Sequence, residues 1–318
     1  MRRFLFYLSG RLLGAAVTLI VGVIVIVLVL KLAPGDPALT ALGDEAAPQA
    51  VAAYRAQYHL DQPIWLQMAY SLGDLAKGNL GKSLTVARDL PVGALILDRL
   101  PNTAFVGLYA LALAVAISLV VGTIATLRRG RIEDTIVTSA AVLGISMPDF
   151  WLSYLLILTL ALGLGLLPAY GFVPLGESIP QAFLYGSLPA LAIAAPMAAA
   201  FSRFLRATLL ETVGQDYVLA GRALGFSEPF LFVHFVLRNA LIPYVTKVGM
   251  QVSYLLGGVV VVERIFGVPG VGSLMVDGCF GRDYPLVQGC ALTFIGLVLA
   301  TNLFIDLVCA RLDPRRAY

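Results

Sequence analysis

The stretch Glu211 to Val245, ETVGQDYVLAGRALGFSEPFLFVHFVLRNALIPYV, is the longest polar interruption in the hydrophobic second half of the chain. Strongly apolar runs flank it, so it reads as the connection between two membrane spans. Val213, Tyr217, Ala220 and Leu224 recur at helical spacing on one stripe, with Gln215 and Arg222 on the opposite side and Gly225 where a helix needs a C-cap. The pattern predicts a helix over 213–224. Ser227, Glu228 and Pro229 then predict a second short helix, because a hydroxyl caps, an acid suits the positive end and proline fits the first turn. Small residues at Ala220, Gly221, Ala223 and Gly225 leave little side-chain bulk at this corner, which suits the close approach of another protein surface.

The rest of the chain supports a membrane setting. Of 318 residues 59% are hydrophobic and 13% charged, against a charged share of roughly 25% in soluble domains. This is the composition of an integral membrane protein, and the helix-length apolar runs that follow make it an all-α one. The net charge of +3 is small, and no basic patch with interleaved aromatics suggests nucleic acid. Cys279, Cys290 and Cys309 are unevenly spaced and have no histidines at ligand spacing, so they indicate neither a zinc site nor a disulfide framework, although Cys279 and Cys290 are close enough in sequence to meet near the outer surface.

Hydropathy divides the chain into six spans. Leu12–Leu30 is the first, long enough to cross about 30 Å of hydrocarbon; no small-residue cleavage site follows it, so it reads as a retained span. Residues 33–100 are more polar, with helical patches over Ala46–His59 and Ile64–Leu75 separated by Leu60-Asp61-Gln62-Pro63, and form the one extramembrane segment large enough for a subdomain. Within it, residues 76–83, AKGNLGKS, satisfy a loose Walker A pattern. A phosphate-binding loop must link a buried strand to a helix, however, and here a helical pattern precedes it and none convincingly follows. Thr103–Leu127 is the second span. Thr135–Leu167 is too long for one straight crossing, and Ser146-Met147-Pro148 predicts a break in this third span. Tyr170–Gln181 reads as an outer loop and Ser187–Phe201 as a fourth span loosened by Pro189 and Pro196. Asn239–Val262 is the fifth, Glu263–Gly272 an outer loop, and Tyr284–Ile305 the sixth. The domain boundaries are therefore 1–32, 33–100, 101–310 with the polar stretch at 211–235, and a tail at 311–318.

With both termini on one side, thirteen lysines and arginines fall inside and eight outside, the outer ones mostly in the long 33–100 segment; Lys247 lies within a span. The positive-inside rule then places both termini and the 211–235 stretch in the cytoplasm.

Asp216-Tyr217-Val218, Ala220-Gly221-Arg222-Ala223-Leu224-Gly225, His234 and Leu237-Arg238-Asn239-Ala240-Leu241-Ile242-Pro243 resemble the EAA coupling loop of ABC importer permeases, in the branch that imports dipeptides, oligopeptides and nickel. The chain departs from that text at Leu224, where a lysine is usual, and at Gly221. Pro34-Gly35-Asp36-Pro37, Ser146-Met147-Pro148-Asp149-Phe150-Trp151, Glu263–Gly272 and Asp283-Tyr284-Pro285 extend the resemblance along the chain, with Asp149 a carboxylate where a neutral residue is usual.

The resemblance implies the type I importer permease fold and a transport subunit with no catalytic residue and no cofactor of its own, ATP and Mg being held by two cytoplasmic ATPase subunits. It further implies a sister permease subunit, an extracytoplasmic solute-binding protein, and a bacterial or archaeal inner membrane. Asp216, Tyr217, Ala220, Gly221, Arg222, Ala223 and Gly225 are the expected ATPase-coupling residues. Asp149 and Lys247 fall well inside spans, where a lipid-facing charge costs at least about 2.5 kcal/mol, and are candidates for the solute path. Each also has a purely structural reading, Asp149 as a cap on the helix restarted after Pro148 and Lys247 as a snorkelling cation. Peptide import is the leading function, nickel or nickel-complex import the alternative within the family. A secondary transporter using Asp149, Lys247 and Asp306 is a more distant one, which would require repeated halves that the sequence lacks.

Overall fold

The computed structural model describes residues 2–32, 36–43 and 45–312, and the described residues are helical apart from one isolated β-bridge, Lys82 to Pro91. Pro34-Gly35 and the charged tail from Asp313 lie outside the described residues, as does the side chain of Asp306. In order the helices are α1 (Arg2–Leu32), α2 (Pro37–Leu42), α3 (Pro48–Gln57), α4 (Ile64–Ala76), α5 (Val92–Leu127), α6 (Ile132–Ser146), α7 (Asp149–Leu156), α8 (Ile179–Val213), α9 (Asp216–Ala223), α10 (Glu228–Leu231), α11 (Arg238–Phe266), α12 (Val271–Phe280) and α13 (Tyr284–Leu312). A π-helical turn extends α7 through Ile157–Gly163, and another, Phe232–Leu237, leads into α11. Among the described residues four helices are long and apolar enough to cross a membrane, or up to six when a bent pair counts as one span, and α1 carries a shorter apolar run at Leu13–Val29.

Packing divides the chain into two compact units. The first joins Met1–Thr103 to Pro269–Ala300. Its cores are small: Val23, Val27 and Leu292 bring α1 and α13 together beside α4, while Val92, Ile96, Val271, Leu274 and Leu286 bring α5 and α12 to α13. Asp36 caps α2 by accepting from the Ala38 N–H at 2.9 Å, and Arg55 of α3 pairs with the same carboxylate. The break at 60–63 is held by Gln67, whose Nε2 donates to the carbonyls of Leu60 and Gln62. Asp283, fully buried just before α13, organises the loop after α4. One of its oxygens accepts from the Ser83 hydroxyl at 2.5 Å and from the N–H groups of Leu84, Thr85 and Val86 at 2.8, 2.9 and 3.2 Å; the other accepts from the Leu286 N–H at 3.2 Å. Successive backbone donors converging on one oxygen are what a buried carboxylate needs.

The second unit joins Ala104–Val268 to Thr301–Tyr318 and is centred on α8. Leu188, Ile193, Met197, Phe201, Leu205 and Leu209 of α8 are all buried. Small residues let neighbours come close, as apolar helix interfaces in lipid require: Gly144 of α6 meets Ala199, and Gly122 of α5 meets Ser202 and Leu205. The expectation of a fourth span loosened by its prolines is corrected here. α8 runs unbroken for 35 residues through Pro189 and Pro196, because both prolines sit in a helix packed on several sides. The third span breaks where expected, α6 and α7 meeting at 112° around extended Met147 and Pro148. The loop expected over Glu263–Gly272 is narrower than that, confined to 267–270, because α11 continues through Phe266 and α12 begins at Val271; Gly267 at φ 71° ends α11, with the ring of Tyr170 so close that a Cβ there would lie 2.3 Å from it.

Candidate functional site

The 211–235 stretch is a helix–corner–helix, as its residues predict, but the helix divides differently. Val213 ends α8, Gly214 and Gln215 turn the chain, and α9 starts at Asp216. The corner itself is a Schellman closure: the Phe226 N–H reaches the Gly221 carbonyl at 3.2 Å and the Gly225 N–H the Arg222 carbonyl at 2.9 Å, with Gly225 at φ 83°. Ser227 stands at the N-cap of α10 but makes no capping hydrogen bond, so the expected hydroxyl cap is not formed; α10 is held instead by Arg222, whose guanidinium forks onto Glu228 at 2.7 and 3.1 Å.

The inner face of this corner is not the predicted stripe. Tyr217, Ala220 and Leu224 are exposed, while Val218 and Gly221 are buried. Gly221 lies against Leu231, so close that a Cβ would meet Leu231 Cδ2 at 2.6 Å. The glycine thus makes room for this chain's own α10. Val218 and Val236 join the core of the second unit, so α9 is anchored in that core on one side and leaves Asp216, Tyr217, Ala220, Arg222, Ala223 and Gly225 exposed on the other. Leu219, Leu224, Phe226, Phe230 and Val233 add exposed apolar surface, stiffened by stacking of Phe230 on Phe226 at 5.2 Å and on the His234 ring at 4.3 Å. The Arg222–Glu228 pair and the Leu231 plug were the features that sequence pattern missed. The four-residue α10 is too short to show a period, and glycine at position 221 reads equally well as a partner contact.

A second bidentate pair lies where α6 meets α8. Arg206 Nε and Nη2 lie 2.7 and 2.8 Å from the two oxygens of Asp134, which also accepts from the Gly130 N–H, while Arg203 is exposed.

The two candidate path residues are placed on or beside α11. Asp149 is the first residue of α7, with Pro148 at the cap, and its side chain makes no capping bond. Its Oδ2 lies 2.7 Å from where a Gly258 Cβ would stand, and its buried Oδ1 has no hydrogen-bond partner. Lys247 is partly buried, with no ion pair among the described residues. The two are not brought into contact, since Lys247 precedes Gly258 by eleven residues, about 16 Å along a helix.

The 76–83 segment leaves α4 and enters the isolated bridge, with no strand before it and no helix directly after. Lys82 shares with Asp74 a cleft of about 420 Å³, and an acid there disfavours phosphate. Cys279 is exposed and Cys290 buried, and no disulfide joins them.

The model of the binding-protein-dependent transport system inner membrane component matches residues 101–318, and that of the N-terminal part of the same membrane component matches residues 1–107. A probable peptide ABC transporter permease of Sinorhizobium fredii is 33% identical over 98% of this chain and 99% of its own. A putative peptide transport system permease of Brucella abortus is 36% identical over 97% and 98%, and the glutathione transport system permease GsiC of Escherichia coli K12 is 36% identical over 98% and 99%. A crystal structure of an amino acid ABC transporter with histidines shares the fold over 70% of this chain and 94% of its own, with a TM-score of 0.52 at 15% identity. This chain belongs to the family of binding-protein-dependent transport system inner membrane components, the multi-pass permease subunits of ABC importers.

Proposed function

We propose that this chain is the membrane-spanning permease of an ATP-driven peptide importer, taking solute from an extracytoplasmic binding protein and working beside a sister permease and two cytoplasmic ATPase subunits. Both termini lie in the cytoplasm, and ATP and Mg belong to the ATPases. The peptide assignment is supported by the names of the relatives from Sinorhizobium, Brucella and Escherichia, which are peptide and glutathione permeases. None of those three names favours the nickel alternative.

The observation that carries the coupling role is the two-faced corner at 216–231. Its inner face is locked by Val218, Gly221 and Leu231, and its outer face presents Tyr217, Ala220, Leu224 and Phe226 exposed. A rigid element with an apolar outer face transmits a push from an ATPase cleft into α8 and α11. ATP biases the transporter only through contacts that differ between its two states, and this face supplies them. Ala220 is the cleanest probe, because it is exposed and has no special backbone requirement. Ala220→Trp should lower uptake and binding-protein-stimulated ATP hydrolysis together, with membrane insertion and assembly unchanged. Wild-type stimulation in that variant would refute the coupling role.

A further inference from the structure

Lys247 and Gly258 are eleven residues apart, so an α-helix places them on one stripe, offset by about 20° after three turns. Gln251 and Tyr254 fall within about 40° of the same line. This stripe edges the buried face of α11 formed by Leu255, Val259 and Val262, and it is open in part: Lys247, Gln251 and Gly258 are partly exposed and Tyr254 is 55% exposed. At its Gly258 end stands the Asp149 carboxylate, held against the glycine and within electrostatic range of Tyr254, with one buried oxygen that no donor satisfies. At the other end stands a cation with no ion pair among the described residues. A polar stripe with an acid at one end and a base at the other is complementary to a molecule carrying an ammonium and an anionic group at the matching separation.

We infer that the α11 stripe from Lys247 to Gly258, closed by Asp149, is a water-accessible subsite of the solute path that binds a zwitterionic peptide, its ammonium at Asp149 and its carboxylate at Lys247. The inference rests on the peptide-importer reading and makes it more specific. Separation along the helix of about 16 Å matches about five extended residues at roughly 3.3 Å each. Gly258 is the stripe's narrow point, because any side chain there takes the space of the carboxylate. Asp149 acts as the anchor for the leading ammonium, and the break at Pro148 aims it out of α7.

The test is thiol labelling in the assembled, reconstituted transporter, with Cys279, Cys290 and Cys309 replaced by serine and single cysteines introduced as Gln251→Cys, Tyr254→Cys and, on the opposite side of α11, Val245→Cys. The first two should react with membrane-impermeant charged thiol reagents and the third should not. At position 254 a cationic reagent should react several-fold faster than an anionic one, and Asp149→Asn should bring the ratio close to one. At position 251 the preference should invert, and Lys247→Gln should remove it. A pentapeptide with free termini should protect both cysteines, and a dipeptide should leave at least one reactive. Failure of the 251 and 254 cysteines to label, charge ratios unmoved by Asp149→Asn and Lys247→Gln, or the absence of peptide protection would overturn the inference. Any of these results in a transporter whose ATP hydrolysis still responds to the binding protein would sink the subsite alone; loss of the Ala220→Trp effect would sink the coupling reading alone.

Discussion

Two aspartates of this chain, one fully buried and one half-buried, are treated in opposite ways. Asp283, in the first unit, receives a hydroxyl and four backbone N–H groups at its two oxygens, and it ties the 83–86 loop to the start of α13. Asp149, in the second unit, presses one oxygen on a glycine and leaves the other with nothing. A carboxylate oxygen left without a donor is unfavourable, and at Asp149 that oxygen stays available to a donor from outside the chain. The first aspartate belongs to the architecture; the second is the one on which the proposed peptide subsite depends.

Substitutions can break that contrast, the largest effect coming first. Asp283→Ala would strand the Ser83 hydroxyl and the backbone donors of the loop, at a cost on the order of 3 to 5 kcal/mol. The expected outcome is a steep fall in the thermal midpoint of the detergent-solubilised protein, or loss of its accumulation in the membrane. Gly258→Ala puts a methyl group 2.7 Å from the Asp149 carboxylate and should cost about 1 to 3 kcal/mol through overpacking. Adding Asp149→Ala should recover most of that loss, and a double-mutant cycle on the thermal midpoint checks the coupling. Asp149→Asn alone should move stability by less than about 1 kcal/mol, because it removes no satisfied interaction, while uptake of free-ended peptides falls markedly. A collapse in stability equal to that of Asp283→Ala would erase the distinction between the two aspartates.

The smallest effect belongs to Asp36. Burial raises its carboxyl, but the Arg55 guanidinium and the Ala38 N–H outweigh burial and hold it below its ordinary value of 3.8. A lowered native pKa gives stability that is present above the unfolded value and lost as pH falls through the native one. Asp36→Asn should therefore cost at most about 1 kcal/mol at neutral pH, and the difference from wild type should vanish in acid below 3.8, as denaturation at several pH values would reveal.

Several parts of the candidate sites were legible before any coordinates. Gly225 read as a corner because only a residue without a side chain takes φ 83° cheaply, and Ser146-Met147-Pro148 read as a break because proline lacks a donor. Other parts were not. The 213–224 stripe pointed outward because helical period says that one face is apolar without saying whether that face meets this chain or another. Gly221 gave no sign that Leu231, ten residues on, fills its space. The Asp134–Arg206 pair joins residues 72 apart in sequence, beyond the reach of local pattern.

The sequence by itself determined the class of this protein. A mostly uncharged chain with lipid-length apolar runs has to satisfy its backbone internally, and helices do that from local residues alone, so helix positions and breaks follow from composition and period. Only the tertiary structure decided that Pro269–Ala300 packs with the first hundred residues, that Asp283 holds a loop two hundred positions away, and that Asp149 stands beside Gly258 with an oxygen unsatisfied. Such facts depend on which helices become neighbours. That choice is made by side-chain fit and hydrogen-bond satisfaction across distant segments, which no local stretch encodes.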